Sequence, residues 1–155
     1  MSLIKVTKEF TFDAAHRLMR HPGKCRNLHG HTYVVQATLG VSVCNLQRRE
    51  GMVMDFGVLK SEIMEPILDH FDHAVILELG DPLLEAIEGM DMKTVTMDGP
   101  PTAEAMAAFF GQSISSELSG ETDAVLCSVR VWETPTSFAE YSPDGGNPCQ
   151  TCASQ

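Results

Sequence analysis

Apolar side chains recur at every second position through Tyr33, Val35, Ala37, Leu39, Val41 and Val43. Only an extended backbone gathers such a set on one face, so residues 33–43 predict a long, half-buried strand. A similar run lies upstream, with Ile4, Val6, Phe10 and Phe12 facing one way and Lys5, Thr7, Glu9 and Thr11 the other. Residues 4–12 and 33–43 therefore predict an antiparallel pair. Residues 13–24 read as an excursion between them, with Pro22-Gly23 as its turn signal and His16 near its start.

The entry to the second strand holds the residues with most chemistry. On extended backbone His29 and His31 point the same way, and Gly30 between them keeps crowding low. Two imidazoles on one face begin a zinc site, since zinc takes nitrogen ligands at ~2.0–2.1 Å. His16 offers a third. Three histidines with an open fourth position make a catalytic arrangement of zinc ligands rather than a structural one. An isolated HxH pair is a weak signal, and Cys25 alone could be a small buried hydrophobe.

Past residue 43 the pattern changes. Residues 45–51 read as a polar loop and 52–56 as a short strand or a continuation of the preceding one. Leu59, Ile63, Ile67 and Phe71 recur at helical spacing, and Pro66 inside that run predicts a kink or break. Asp81-Pro82 opens a short helix through Ile87, ended by Gly89, and residues 93–97 are extended. Thr102 follows a Gly-Pro-Pro stop and predicts the N-cap of a helix carrying Met106, Phe110, Ile114 and Leu118, ending near Gly120. Residues 125–133 and 137–141 predict two final strands. This order gives an α+β plan, helices on one face of an antiparallel sheet.

The motifs FDAAHRL (12–18), CRNLHGHTY (25–33), GMVMDFGVLK (51–60), a DH pair, PTAE (101–104) and WET (132–134) occur in order. Together they resemble the 6-pyruvoyltetrahydropterin synthase family. The short gap between Cys25 and His29 is most similar to its bacterial branch, the 6-carboxytetrahydropterin synthases of the queuosine pathway. The resemblance runs from about Phe10 to about Glu133. It implies the T-fold, a four-stranded antiparallel sheet with helices on one face, whose sheets join into an oligomeric barrel, with trimers pairing into a homohexamer. It implies a zinc-dependent lyase acting on 7,8-dihydroneopterin triphosphate, releasing triphosphate and acetaldehyde and leaving 6-carboxy-5,6,7,8-tetrahydropterin. Synthesis of the 6-pyruvoyl product, or pterin binding without catalysis, stays open.

The same resemblance distributes the roles. His16, His29 and His31 hold Zn2+, which engages the hydroxyls of the substrate's side chain. Cys25 is the base, acting as a thiolate on a neighbouring carbon. An Asp-His pair is the proton donor or relay. Asp72-His73, followed by Ala-Val-Ile-Leu, fits the family better than Asp69-His70, which then reads as ordinary helix surface. Glu133 anchors the pterin edge, whose adjacent N–H and amino groups suit a carboxylate. Thr102 lies where further pterin contacts are expected.

Composition narrows the partners. A chain of 155 residues predicts one domain, residues 1–143, with a Gly/Pro-rich tail at 144–155. A net charge of −10 argues against broad nucleic-acid binding and obliges an anionic substrate to find a local cationic patch. Arg17, His21, Lys24 and Arg26 cluster in sequence near the proposed metal site. No apolar run reaches the ~18 residues of a membrane span, and the start lacks a secretion-signal pattern, which predicts a cytoplasmic enzyme. Five cysteines show no disulfide framework. The single CxxC at Cys149 and Cys152 reads as tail without function.

Overall fold

The two alternating runs pair along their whole lengths. In the computed structural model, which describes residues 2–119 and 123–143, β1 (Leu3–His16) and β2 (His29–Ser42) run antiparallel from Leu3 opposite Ser42 to His16 opposite His29. β1 does not stop at Phe12. Its inward parity continues through Ala14 to His16, both buried, and β3 (Ala74–Glu78) docks parallel on residues 14–16 to complete their ladder.

The sheet is larger and more mixed than the four antiparallel strands expected. Its order is β4-β3-β1-β2-β5-β6, with β4 (Thr94–Met97), β5 (Val125–Thr134) and β6 (Ser137–Tyr141). β1, β2, β5 and β6 are the expected antiparallel four, and β3 and β4 extend them in parallel. All five residues of β3 are buried. A strand covered on both faces reads as a continuous apolar run, without the alternation that marks a half-buried one.

The helices depart from expectation at two places. α1 (Val43–Leu46) and a 3-10 turn, Gln47–Arg49, occupy much of the expected loop. The strand expected at residues 52–56 is absent. There Asp55 accepts from the backbone N–H groups of Gly57 and Val58 and starts α2 (Phe56–Val58), so a capping carboxylate decides the local structure. A π-helical stretch, Leu59–Met64, leads into α3 (Glu65–Phe71), and Pro66 sits in its first turn. The break expected at Pro66 is thus a change of helix type, with proline where a missing N–H matters least.

α3 packs on β1 and β3, and α5 (Ala103–Leu118) lies across β5 and β6. The short α4 (Leu83–Glu88) is the exception to the one-face plan. Its Ile87 joins Val75 and Leu77 in a small cluster, with Ala15, Leu83 and Leu84 packed around it. The main core is tied by four aromatic rings from four elements. Phe12 stacks on Tyr33 at 4.9 Å and meets Phe110 edge-on at 5.9 Å, while Phe71 and Phe110 stand 5.0 Å apart.

One contact on α5 gives a test in which two effects have opposite signs. A Cβ at Gly111 would lie 2.0 Å from Cδ1 of Tyr141. Helix propensity alone would stabilise Gly111→Ala by roughly 1 kcal/mol, whereas overpacking typically costs about 1–3 kcal/mol. Urea unfolding is expected to show Gly111→Ala less stable than wild type, with Gly111→Ala/Tyr141→Ala losing less than the sum of the single changes. A more stable Gly111→Ala would show that Tyr141 does not constrain the helix.

Candidate active site

The end of the β1–β2 ladder gathers the three histidines. His16 faces His29 across the pair, and His31 lies opposite Ala14 on the same inward side. Their ring centroids stand 4.6 Å (His16–His29), 5.1 Å (His16–His31) and 5.0 Å (His29–His31) apart. One nitrogen from each lies within 4.8 Å of the others, close enough to share one ion.

Backbone carbonyls orient two of the rings. Nδ1 of His16 is 2.8 Å from the Pro101 carbonyl, and Nδ1 of His29 is 2.7 Å from that of Asn27. Donating from Nδ1 to a carbonyl leaves Nε2 with its lone pair free for a metal, the usual outer support of a histidine ligand. Burial, the largest influence, lowers the His16 pKa, against smaller raising effects of the Pro101 bond and Glu133. A neutral imidazole is the form a metal needs. Nε2 of His16 and of His31 are buried without a hydrogen-bond partner. Buried polar atoms are nearly always satisfied, so two aimed at one point fit an ion such as zinc.

Glu133 stands at the rim of this cluster. Its Oε1 is 3.3 Å from His16 Nε2 and 3.8 Å from His31 Nε2, without hydrogen-bond alignment to either. The same residue lines a cavity of about 540 Å³ with Thr32, Val34, Gln36 and Trp132. Trp132 Nε1 is also buried and unpartnered. Thr102 caps α5, its Oγ1 accepting from Ala105 N at 3.2 Å, and its neighbour Pro101 supplies the carbonyl under His16. Tyr33, wholly buried, packs 5.4 Å from His31 and 5.9 Å from His16, and its hydroxyl has no partner. Burial first, then the charge of Glu133, raises its pKa, so it stays a donor. Sequence reasoning placed Tyr33 in the strand core and missed its place beside the histidines. The signal was the shared parity of 29, 31 and 33.

Cys25 is half-buried on a 3-10 turn, Lys24–Arg26, in the loop joining β1 to β2. Asp72 and His73 are not brought to the histidines. His73 pairs with Asp72 at 2.9 Å at the start of β3, with its side chain 77% exposed. Asp72 also accepts from Asp13 N at 2.9 Å, and that bond, ahead of the His73 and Lys93 contributions, lowers its pKa. His73 adopts φ +58°, held by its N–H donating to the Asp13 carbonyl at 2.6 Å. Asp69 and His70 lie on α3. Of the cationic residues, Arg17 is bound to Asp81, whereas His21, Lys24 and Arg26 are exposed. Cys149 and Cys152 lie outside the described residues.

Comparison with known proteins finds relatives over most of the chain. A profile of the family described as 6-pyruvoyl tetrahydropterin synthase matches residues 5–144. The 6-carboxy-5,6,7,8-tetrahydropterin synthase of Haemophilus influenzae is 39% identical over 143 residues, covering 90% of this chain and 99% of that protein. Its namesake in Aquifex aeolicus is 32% identical, covering 90% of this chain and 98% of its own. Among solved structures, an uncharacterized protein from Wolinella succinogenes shares the fold at TM-score 0.75 and 22% identity, over 92% of this chain and 99% of that one. The 6-pyruvoyl tetrahydropterin synthase of Caenorhabditis elegans matches at TM-score 0.64 and 28% identity, over 92% and 96%. The profile spans nearly the whole chain and includes all three histidines: the chain belongs to the 6-pyruvoyl tetrahydropterin synthase family of enzymes.

Proposed function

We propose that this chain is a zinc-dependent lyase of queuosine biosynthesis. It converts 7,8-dihydroneopterin triphosphate to 6-carboxy-5,6,7,8-tetrahydropterin and releases acetaldehyde and triphosphate. The observation that carries this reading is the convergence of His16, His29 and His31, with two orphaned nitrogens, in a chain whose relatives bear that enzyme's name. Zinc held by the three would supply a Lewis acid for the oxygens of the substrate's side chain.

The chain's own residues do the rest. The Pro101 and Asn27 carbonyls orient His16 and His29 through Nδ1 and leave each Nε2 to face the metal position. Cys25, as thiolate, takes a proton at Sγ from a side-chain carbon of the substrate. Asp72 orients His73 through Nδ1, leaving Nε2 to give or relay a proton. Its exposure leaves the pair available to the site of a neighbouring chain, which fits an oligomer, here a hexamer of paired trimers. Glu133 accepts from the donor edge of the pterin ring, its carboxylate standing at the rim of the histidine cluster. Thr102 sits nearby on a capped, ordered turn. His21, Lys24 and Arg26 are left to meet the triphosphate.

Mass spectrometry of the product of the zinc-loaded protein tests the reaction. The 6-carboxy product with acetaldehyde is expected, and stripping the metal is expected to abolish both. A 6-pyruvoyl product, or none from fully loaded protein, would contradict the assignment.

Two further outcomes follow from the roles. His73→Ala is expected to lose about 10²–10⁴-fold in turnover, with His70→Ala near wild type. The reverse result would transfer the role to Asp69-His70. Glu133→Ala is expected to weaken substrate binding to the zinc-loaded protein by about 1.5–3 kcal/mol, and Glu133→Gln to bind no better, since its amide turns a donor toward a donor edge. Unchanged affinity in both would remove Glu133 as the anchor.

A further inference from the structure

Asp81 is a buried carboxylate, 3% exposed, that the reaction does not use. Oδ2 accepts Nε of Arg17 at 2.8 Å, and Oδ1 meets the terminal NH2 group of the same guanidinium. Oδ1 also accepts the backbone N–H of Leu83 at 2.8 Å, so the carboxylate is itself held by the start of α4. The Arg17 guanidinium holds the Asp81 carboxyl below the usual carboxylate range. A second pair repeats the pattern, with Arg20 on the buried Glu78 at the end of β3. The two acids flank the turn at Gly80, where φ is +85°. Together they grip Arg17 and Arg20, the first two arginines of the segment that leaves β1.

That segment carries Cys25. The N–H of Leu18, next to Arg17, donates to the carbonyl of Cys25 at 2.8 Å, and the carbonyl of Leu18 accepts from His21 N at 2.9 Å. Asn27 N closes the Lys24–Arg26 turn, which carries Cys25, on Lys24 O at 3.0 Å. A continuous chain of contacts therefore runs from Asp81 through Arg17 and the Leu18 backbone to Cys25. A forked arginine–carboxylate contact sets angle as well as distance, which a lysine does not. A displacement of about 1 Å at a reacting group can cost ~10²-fold in rate.

We propose that Asp81 and Arg17 are positioning residues that fix the backbone turn carrying Cys25, and through it the reach of the Cys25 thiol, with Glu78 and Arg20 as the outer half of the clamp. This rests on Cys25 as the base. Two of the five N–H donors of Arg17 point at Asp81, so that edge of its guanidinium is turned to the carboxylate.

The test uses zinc-loaded, full-length protein with Asp81→Asn and Arg17→Lys. Four quantities are read: zinc content, KM, kcat, and the rate of Cys25 alkylation by iodoacetamide at one pH, followed on the Cys25 peptide by mass spectrometry. Both variants are expected to keep their zinc, because Pro101 and the ladder hold His16. KM is expected to stay within about twofold, while kcat falls by ~10–100-fold and Cys25 alkylation changes severalfold. Arg17→Lys keeps the charge and is expected not to rescue. Wild-type kcat and a wild-type alkylation rate in either folded variant would overturn the proposal. So would a loss confined to zinc content or to KM. If Cys25→Ala keeps full turnover, the reading of Cys25 as base fails, while the alkylation rate still reports on the clamp by itself. Should Asp81→Asn fail to fold, Arg17→Lys decides.

Discussion

The register of β1 against β2 is the constraint on which the site depends. Side chains on a strand alternate faces, so a slip of one residue would send His29, His31 and Tyr33 to the opposite side. His16 opposite His29 and Phe12 opposite Tyr33 are two consequences of one ladder. The second pair explains why the ladder does not slip. Phe12, Tyr33, Phe71 and Phe110 form one aromatic layer between sheet and helices, and a slip would expose half of it. The hydrophobic core thus sets the position of the metal ligands.

Site and core are continuous. Tyr33 packs on Phe12 on one side and on His16 and His31 on the other. The Pro101 carbonyl reaches His16 from the turn that starts α5, which Thr102 caps. A ligand supported by packing and by a hydrogen bond from a separate element keeps its rotamer without the ion, which is what a preorganised site requires. The exposed Asp72-His73 pair differs, being held by backbone contacts to Asp13 rather than by packing.

Much of this was legible in the sequence, and the exceptions share a cause. Period-two alternation revealed β1 and β2, and helical spacing with a Thr cap revealed α5. β3 carries no alternation because both of its faces are covered, so it was read only as a short apolar stretch, while β4 was read as extended without its parallel partner. Asp55 was passed over as a cap because its neighbours Met52, Val53, Met54 and Phe56 read as strand. The histidines were legible because two sit on one strand face, and the motifs supplied the third. Arg17–Asp81 and His16–Pro101 join residues 64 and 85 positions apart, and no local pattern encodes such a pairing. For the same reason sequence offered Arg17 as a free cation, when a buried carboxylate already holds it.

The central claim is that one ion sits between His16, His29 and His31. Anomalous diffraction from zinc-loaded crystals, collected on both sides of the zinc edge, tests it most directly. The account predicts one strong peak per chain that vanishes below the edge, at ~2.0–2.1 Å from a ring nitrogen of each of the three histidines. A zinc-saturated crystal with no peak there, or with its peak at other residues, would contradict it.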